Sequence, residues 1–154
     1  MNMKSAPAWD RGKKALVACS LTWIIPGLGH LFLGRKRRAI IFFVIVHLSF
    51  ILGFASDGRF FLVDKRQPIM SYLQTFANIA AGPLDVVARS YVYGYPAYFL
   101  PQYEGPVHTS LISKMRERMK SSVSAYGTAY LLTAGLMNML LILDAFDISI
   151  GRKE

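Results

Sequence analysis

The chain has 154 residues, of which 53% are hydrophobic, and it carries 18 Lys and Arg against nine Asp and Glu. A chain of this length ordinarily forms one domain, and this apolar content is typical of membrane proteins rather than soluble ones. The net charge of +9 does not indicate nucleic acid, because the cations lie beside apolar runs, as topology signals do in membrane proteins. The single cysteine excludes an internal disulfide.

Three apolar runs of 18 or 19 residues contain no Asp, Glu, Lys or Arg, and they cover residues 15–33, 39–56 and 126–143. Each is close to the roughly 20 residues that cross about 30 Å of hydrocarbon. A fourth run, 69–88, has the length, but polar and helix-breaking residues interrupt it. It is therefore expected to be a broken or protein-covered span, or to lie in the membrane interface. The interrupting residues are Gln74, Asn78, Gly82, Pro83 and Asp85.

The run 15–33 predicts a re-entrant hairpin, because full crossing would place its two basic flanks on opposite sides of the membrane. Pro26 removes a helix donor, and the nearby glycines permit tight turning. With a hairpin here and the other three runs crossing, thirteen Lys and Arg lie inside and five outside, whereas a fully spanning first helix gives nine on each side. An ordinary kinked span is the alternative. The glycines of this turn are Gly27, Gly29 and Gly34.

A cluster of four cations follows this turn. We expect it to set the topology and to attract anionic lipid headgroups, at about 1 kcal/mol for each cation near the surface. The lipid bilayer is thus an expected partner, and nucleic acid is not. The cluster consists of Arg35, Lys36, Arg37 and Arg38.

The middle of the chain is rich in tyrosine and then becomes amphipathic. Tyrosines between 91 and 103 suit the headgroup layer, and alternation at Tyr91, Tyr93 and Tyr95 could instead form an aromatic platform for a quinone or pigment. From Thr109, cations and apolar residues occupy different helical faces, which predicts an interfacial amphipathic helix near 109–122, or a helix packed on a neighbouring subunit.

The whole pattern predicts an all-α integral membrane protein with about four hydrophobic helices or hairpins in a single membrane domain, 1–154.

Two histidines, His30 and His47, lie inside apolar runs. They do not fit as paired haem ligands, because in a simple hairpin their depths differ by roughly 7 to 8 Å. We expect each to hydrogen-bond a backbone carbonyl or another helix, and a cofactor held by another chain is the alternative. The sequence contains no nucleophile–base pair, phosphate-binding loop or metal cluster, so we expect no enzyme activity and no cofactor other than bound lipid.

Several residues are candidates for helix packing or partner contact. Asp85 shares a helical face with Ala77 and Ala81, which favours pairing between helices or subunits over an interfacial position or an ion relay. Asn138, in the middle of a span, can hydrogen-bond across helices. Ala125 and Ala129 are a pair of small residues one helical turn apart, which would let another helix approach. Two acids at the end of the last apolar run, Asp144 and Asp147, are expected to cap the helix and pair with Arg152 or Lys153 rather than bind a metal.

Two motifs resemble a known family. The first motif is Pro-Gly-Leu-Gly-His at 26–30, followed by Gly-Arg at 34–35. The second motif consists of the segments 134–138 and 143–148. Together they resemble an uncharacterised family of small bacterial polytopic membrane proteins and, more distantly, two-transmembrane-segment domains. The resemblance covers about the first 45 and the last 30 residues. It implies a bacterial cytoplasmic membrane, no known activity or cofactor, and a cytoplasmic C-terminus, against the topology counted above.

The expected function is therefore that of a small non-catalytic accessory, structural or assembly subunit of a larger membrane complex. Polar and small-residue surfaces that a short chain can hardly satisfy alone support this expectation. One alternative is a homo-oligomeric transporter or channel that uses Asp85, Asn138 and the glycine break. Another is a lipid-, quinone- or pigment-binding membrane component.

Overall fold

The computed structural model describes residues 8–65 and 67–152. Within these residues the chain forms seven α-helices and no strand, which confirms the all-helical class. The helices are α1 (Ala8–Ile24), α2 (Leu28–Phe32), α3 (Lys36–Ala55), α4 (Pro68–Ile79), α5 (Pro83–Tyr93), α6 (Pro106–Met119) and α7 (Ser124–Ser149).

Two of these helices, α3 and α7, are long and apolar enough to cross a membrane, as judged by length and composition. In their most apolar 18-residue windows only 22% of α3 and 39% of α7 is buried inside the molecule. A helix that is apolar on all sides is normally surrounded by a protein core or by lipid. Most of the surface of α3 and α7 therefore lies open to whatever surrounds the chain.

Of the about four hydrophobic helices or hairpins that were predicted, these two are present as long helices; four hydrophobic helices are not confirmed, because the runs 15–33 and 69–88 are broken. In the first run α1 ends at Ile24 and α2 begins at Leu28, with Gly27 at φ 88° between them. A φ in this left-handed region suits glycine, which has no Cβ. Helix α2 packs back on α1, since a Cβ at Gly29 would overlap Ala18 and Thr22.

The run 69–88 is broken in the same way. Helix α4 has 12 residues and α5 has 11, and Gly82 (φ 71°) and Pro83 separate them. At 1.5 Å per residue neither helix exceeds about 18 Å, which is short of about 30 Å of hydrocarbon. The predicted amphipathic helix near 109–122 is present as α6, which begins earlier, at Pro106, and buries Leu111.

The described residues form two compact units. Unit 1 contains residues 8–47 and 137–152, and unit 2 contains Leu48–Leu136. Helix α3 starts in unit 1 and ends in unit 2, whereas α7 starts in unit 2 and ends in unit 1. The two long apolar helices are thus the segments that the units share.

Close helix contacts in unit 2 depend on small residues. A Cβ at Gly53 of α3 would lie 2.8 Å from the carbonyl oxygen of Gly127 in α7. A Cβ at Gly135 of α7 would overlap the carbonyl oxygen of Ala77 in α4. Small residues allow helix backbones to approach in this way. Ala77 and Ala81, both buried, therefore contact a helix of the same chain.

Helix α4 has the opposite burial pattern from an amphipathic helix in water. Its buried residues are Ser71, Thr75, Ala77 and Asn78. Its exposed side chains include Ile69 at 85% and Leu73 at 62% relative accessibility. A water-soluble helix buries its apolar stripe and exposes its polar one. This inversion is the arrangement expected of a helix with an apolar surrounding.

Candidate functional site

A fully buried ion pair, Asp85 and Arg89, lies on α5 one helical turn apart. The Arg89 Nε atom donates to both carboxylate oxygens of Asp85, at 2.8 and 3.0 Å. Its Nη1 atom donates to the carbonyl oxygens of Phe61 (2.9 Å) and Ala97 (2.8 Å). One guanidinium thus neutralises the acid and anchors two segments outside the helix, as its fixed fork of donors allows.

Aromatic rings surround this pair. The Arg89 guanidinium carbon lies 4.6 Å from the Tyr98 ring centroid and 5.6 Å from that of Phe60. Arg118, from α6, lies 5.8 Å from the same Phe60 ring, and its Nη2 donates to the Phe54 carbonyl at 3.0 Å. Cation–π contacts of this kind gain strength where water is excluded. Two arginines from different helices therefore hold the buried Phe60 ring in place.

The segments before α4 and after α5 are joined by backbone pairing. Val63 N donates to Tyr98 O at 2.8 Å, and Leu100 N donates to Val63 O at 3.0 Å, which gives a single parallel bridge between Val63 and Phe99. The Tyr93 hydroxyl donates to the Phe60 carbonyl at 2.9 Å. In this contact, as in those of Arg89, a buried side-chain donor of unit 2 binds a backbone carbonyl.

Burial shifts the pKa values of groups in this cluster. It raises the pKa of the Asp85 carboxyl, while the adjacent Arg89 charge acts in the opposite direction. Burial also raises the pKa of Tyr93 to about 12 and lowers the pKa of the Arg118 guanidinium. Tyr93 thus keeps its proton, and its hydrogen bond to Phe60, to a higher pH than an exposed tyrosine would.

Unit 1 contains a second buried polar contact, between His30 of α2 and Asp144 of α7. His30 is fully buried, and its Nε2 lies 3.0 Å from Asp144 Oδ2. A carboxylate only accepts, so Nε2 carries the proton of this bond. The Phe42 ring packs edge-on, with its centroid 5.1 Å from that of the imidazole. Among the described residues His30 Nδ1 has no hydrogen-bond partner.

Sequence reasoning considered His30 and Asp144 separately and did not pair them. They lie 114 positions apart, although each belongs to one of the two motifs that carried the family resemblance. Asp85 was expected to pair between helices or subunits, but its partner is Arg89 on its own helix. The other histidine, His47, donates from Nδ1 to the Phe43 carbonyl at 2.8 Å, as expected for a backbone bond.

The remaining candidate residues are dispersed. Asn138 is fully buried in unit 1, whereas Ala125 and Ala129 are exposed on α7. Tyr93 is buried while Tyr91 and Tyr95 are exposed, so these three do not form one aromatic platform. Of the predicted turn residues, Pro26 and Gly27 lie between α1 and α2, and Gly34 has a positive φ of 79°. Asp147, on α7, is half-buried. Residues 8–65 and 67–152 contain no group of three or more potential metal ligands.

Comparison with known proteins gives a match to a protein family. Residues 17–154 match the model of a family described as "Family of unknown function (DUF6677)". No curated protein matches the chain, and no solved structure does. The expected resemblance to an uncharacterised family is confirmed to this extent. The matched range also includes the middle of the chain, where the sequence resembled nothing, and both buried polar contacts.

Proposed function

The chain belongs to the family of unknown function (DUF6677), and from this premise we propose that it is a multi-pass protein of a bacterial cytoplasmic membrane and a non-catalytic subunit of a larger membrane complex. The observation that carries the proposal is the inverted burial of α4, which buries Ser71, Thr75 and Asn78 and exposes large apolar side chains, together with the large apolar side chains exposed along α3 and α7. Lipid and partner helices are the surroundings that suit such a surface.

In the proposed topology only α3 and α7 cross, and the broken pair α1 and α2 stays on the side of both chain ends. Ten of the 18 Lys and Arg then lie on that side (4, 11, 13, 14, 35–38, 152 and 153), and eight lie on the other. Two of the eight, Arg89 and Arg118, are engaged in the buried cluster. Under the positive-inside rule both ends are cytoplasmic, which agrees with the family resemblance and replaces the thirteen-to-five topology.

The chemistry of the buried groups supports a non-catalytic role. The Nη1 atom of Arg89 and the hydroxyls of Tyr93 and Thr75 each donate a hydrogen bond to a backbone carbonyl of the same chain. Arg89 also holds Asp85, so this acid is engaged in a structural pair. An acid–base catalyst needs a titratable group within reach of a substrate, and the Asp85 carboxylate faces Arg89 instead.

An exposed small-residue face supports the presence of a partner. Ala77 and Ala81 are buried within the chain, but Ala125 and Ala129 of α7 are exposed beside Tyr126, which is 70% accessible. Small residues on an apolar helix allow another helix to approach closely. This face is therefore where the proposed partner subunit would pack.

The deciding experiment measures the native mass and composition of the tagged protein extracted in mild detergent from its own membranes. We expect stoichiometric, larger subunits to copurify. Ala125→Leu with Ala129→Leu should release them, whereas the control change of Leu48→Phe with Leu52→Phe, at exposed positions of α3, should not. Recovery of the wild-type chain alone, or only with copies of itself, would refute the subunit proposal.

A homo-oligomeric transporter is the second candidate, and the His30–Asp144 contact favours it. This contact joins two titratable groups at the end of an apolar helix. In proteoliposomes, Asp144→Asn would then abolish ion or proton flux while leaving the oligomer intact. A subunit of the proposed kind shows no flux with either the wild type or the variant.

A further inference from the structure

An open apolar groove of about 220 Å³ lies beside the turn between α1 and α2. Ile25, Leu28 and Leu31 line one wall, and Ala39, Ile40 and Phe43 of α3 line the other. The walls meet at Gly27, where a Cβ would overlap the Ala39 carbonyl oxygen. The groove is smaller than the roughly 300–1,000 Å³ of pockets that enclose drug-sized ligands. Its size and lining suit a hydrocarbon chain lying along it.

A cation, Lys36, lies about one helical turn before the residues of α3 that line this groove. Successive helix residues are about 100° apart, so Ala39, Ile40 and Phe43 are centred on the face of α3 that begins with Lys36. Helix side chains lean toward the N-terminus, and a lysine stem can lie along apolar surface while its ammonium reaches the polar layer. Lys36 is exposed.

The charge around Lys36 is one-sided. Arg35, Arg37 and Arg38 adjoin it, and the first turn of α3 contains no acid. Within the described part of the chain no ion pair reaches any of these four cations. An apolar groove that ends in unneutralised positive charge is complementary to a molecule with a hydrocarbon tail and an anionic head.

We propose that this groove binds one acyl chain of an anionic phospholipid and that Lys36 contacts the lipid phosphate. A helix of a partner is a poorer occupant, since a helix with its side chains is about 10–12 Å across and would leave the four cations unneutralised. The inference goes beyond the proposed subunit function and rests only on the membrane location within it.

The test measures lipid retention by the purified full-length protein, using native mass spectrometry after equilibration with equal amounts of phosphatidylglycerol and phosphatidylcholine. Ile40→Trp fills the groove, and Ile41→Trp is the matched control, since the two isoleucines are 63% and 54% exposed on the same helix. Lys36→Gln removes the charge on the groove face. Arg38→Gln removes one charge on the opposite face, about 200° round the helix.

The wild type should retain one phosphatidylglycerol in preference to phosphatidylcholine. Ile40→Trp should abolish this retention, and Lys36→Gln should reduce it about fivefold, while both controls retain it. Equal losses in Lys36→Gln and Arg38→Gln would show diffuse attraction and overturn the proposal. Normal retention by Ile40→Trp, or a peptide rather than a lipid bound at this site, would also overturn it.

Two further measurements separate the causes of a negative result. If Ile40→Trp does not fold, judged by thermal melting, Leu31→Trp fills the groove from the other wall at a position that is 45% exposed. Fractionation of cells tests the membrane location independently. A wild-type chain that does not sediment with membranes would refute the proposed function, whereas a membrane-bound chain without selective retention would refute only this site.

Discussion

Arg89 is the residue on which the packing of unit 2 depends most directly, since it is fully buried and contacts Asp85, Phe61 and Ala97. Removing one partner of a buried ion pair typically costs about 3–5 kcal/mol, because the other charge is left uncompensated. We expect Arg89→Met to destabilise the protein by this amount. Adding Asp85→Asn to it should restore part of the loss, as measured by denaturant unfolding in detergent. Strictly additive effects of the two changes would contradict the coupling.

Tyr93 predicts a loss of stability at high pH. Burial raises its pKa from 10.0 to about 12, so between these values the unfolded chain loses a proton that the folded chain keeps. The contribution of Tyr93 is then complete below about pH 10 and is lost as the pH rises towards about 12. In melting curves across this range, Tyr93→Phe should show a shallower fall than the wild type. Tyr91→Phe, at an exposed position, is the control and should follow the wild type.

The interaction partners of single residues could be predicted only in part from the sequence. The sequence identified Asp85 as a buried acid, but the apolar run was taken to end at residue 88, one position before its partner Arg89. The His30–Asp144 contact could not be derived from local spacing, because it spans 114 positions and depends on how unit 1 closes. Periodicity describes which face a residue occupies, whereas the partner on that face depends on tertiary packing.

At the scale of the helices, the clearest prediction concerns the contact between α7 and α4. Gly135→Ala would place a methyl group against the Ala77 carbonyl oxygen, and overpacking of this kind costs about 1–3 kcal/mol. Gly12→Ala is the matched control on α1, where a Cβ meets nothing within 4 Å. Since alanine is the better helix former by roughly 1 kcal/mol, the control should be neutral or stabilising in thermal unfolding. Equal melting temperatures of the two variants would contradict the close contact.

The apolar runs located the two long helices, and the prolines and glycines inside the other two runs indicated where those are broken. Runs 39–56 and 126–143 correspond to α3 (Lys36–Ala55) and α7 (Ser124–Ser149). In the other two runs the sequence predicted a hairpin turn at 26–29 and an interruption that includes Gly82 and Pro83, and the helices break near both places. A proline removes a helix donor and a glycine permits positive φ, but whether a helix kinks or ends there depends on what packs against it.

At the scale of the whole molecule, the proposed two-span topology places residue 152 and residue 103 on opposite sides of the membrane. In a Cys19→Ser background, Tyr103→Cys should react with a membrane-impermeant maleimide in intact cells, because Tyr103 is 88% exposed. Arg152→Cys should react only after permeabilisation. Reaction of both cysteines from outside would contradict the topology.

The division of the chain into two units also constrains the order in which its parts can fold during synthesis. Unit 2 is one continuous stretch, Leu48–Leu136, so all its partners have been synthesised once residue 136 has been added. Unit 1 needs residues from both ends of the chain, and His30 meets Asp144 only after another 114 residues have been translated. Non-local contacts of this kind form late because closing a long loop costs entropy before the contact offsets it. We therefore expect unit 2 to fold before unit 1, which cannot close until the last turns of α7 have been synthesised.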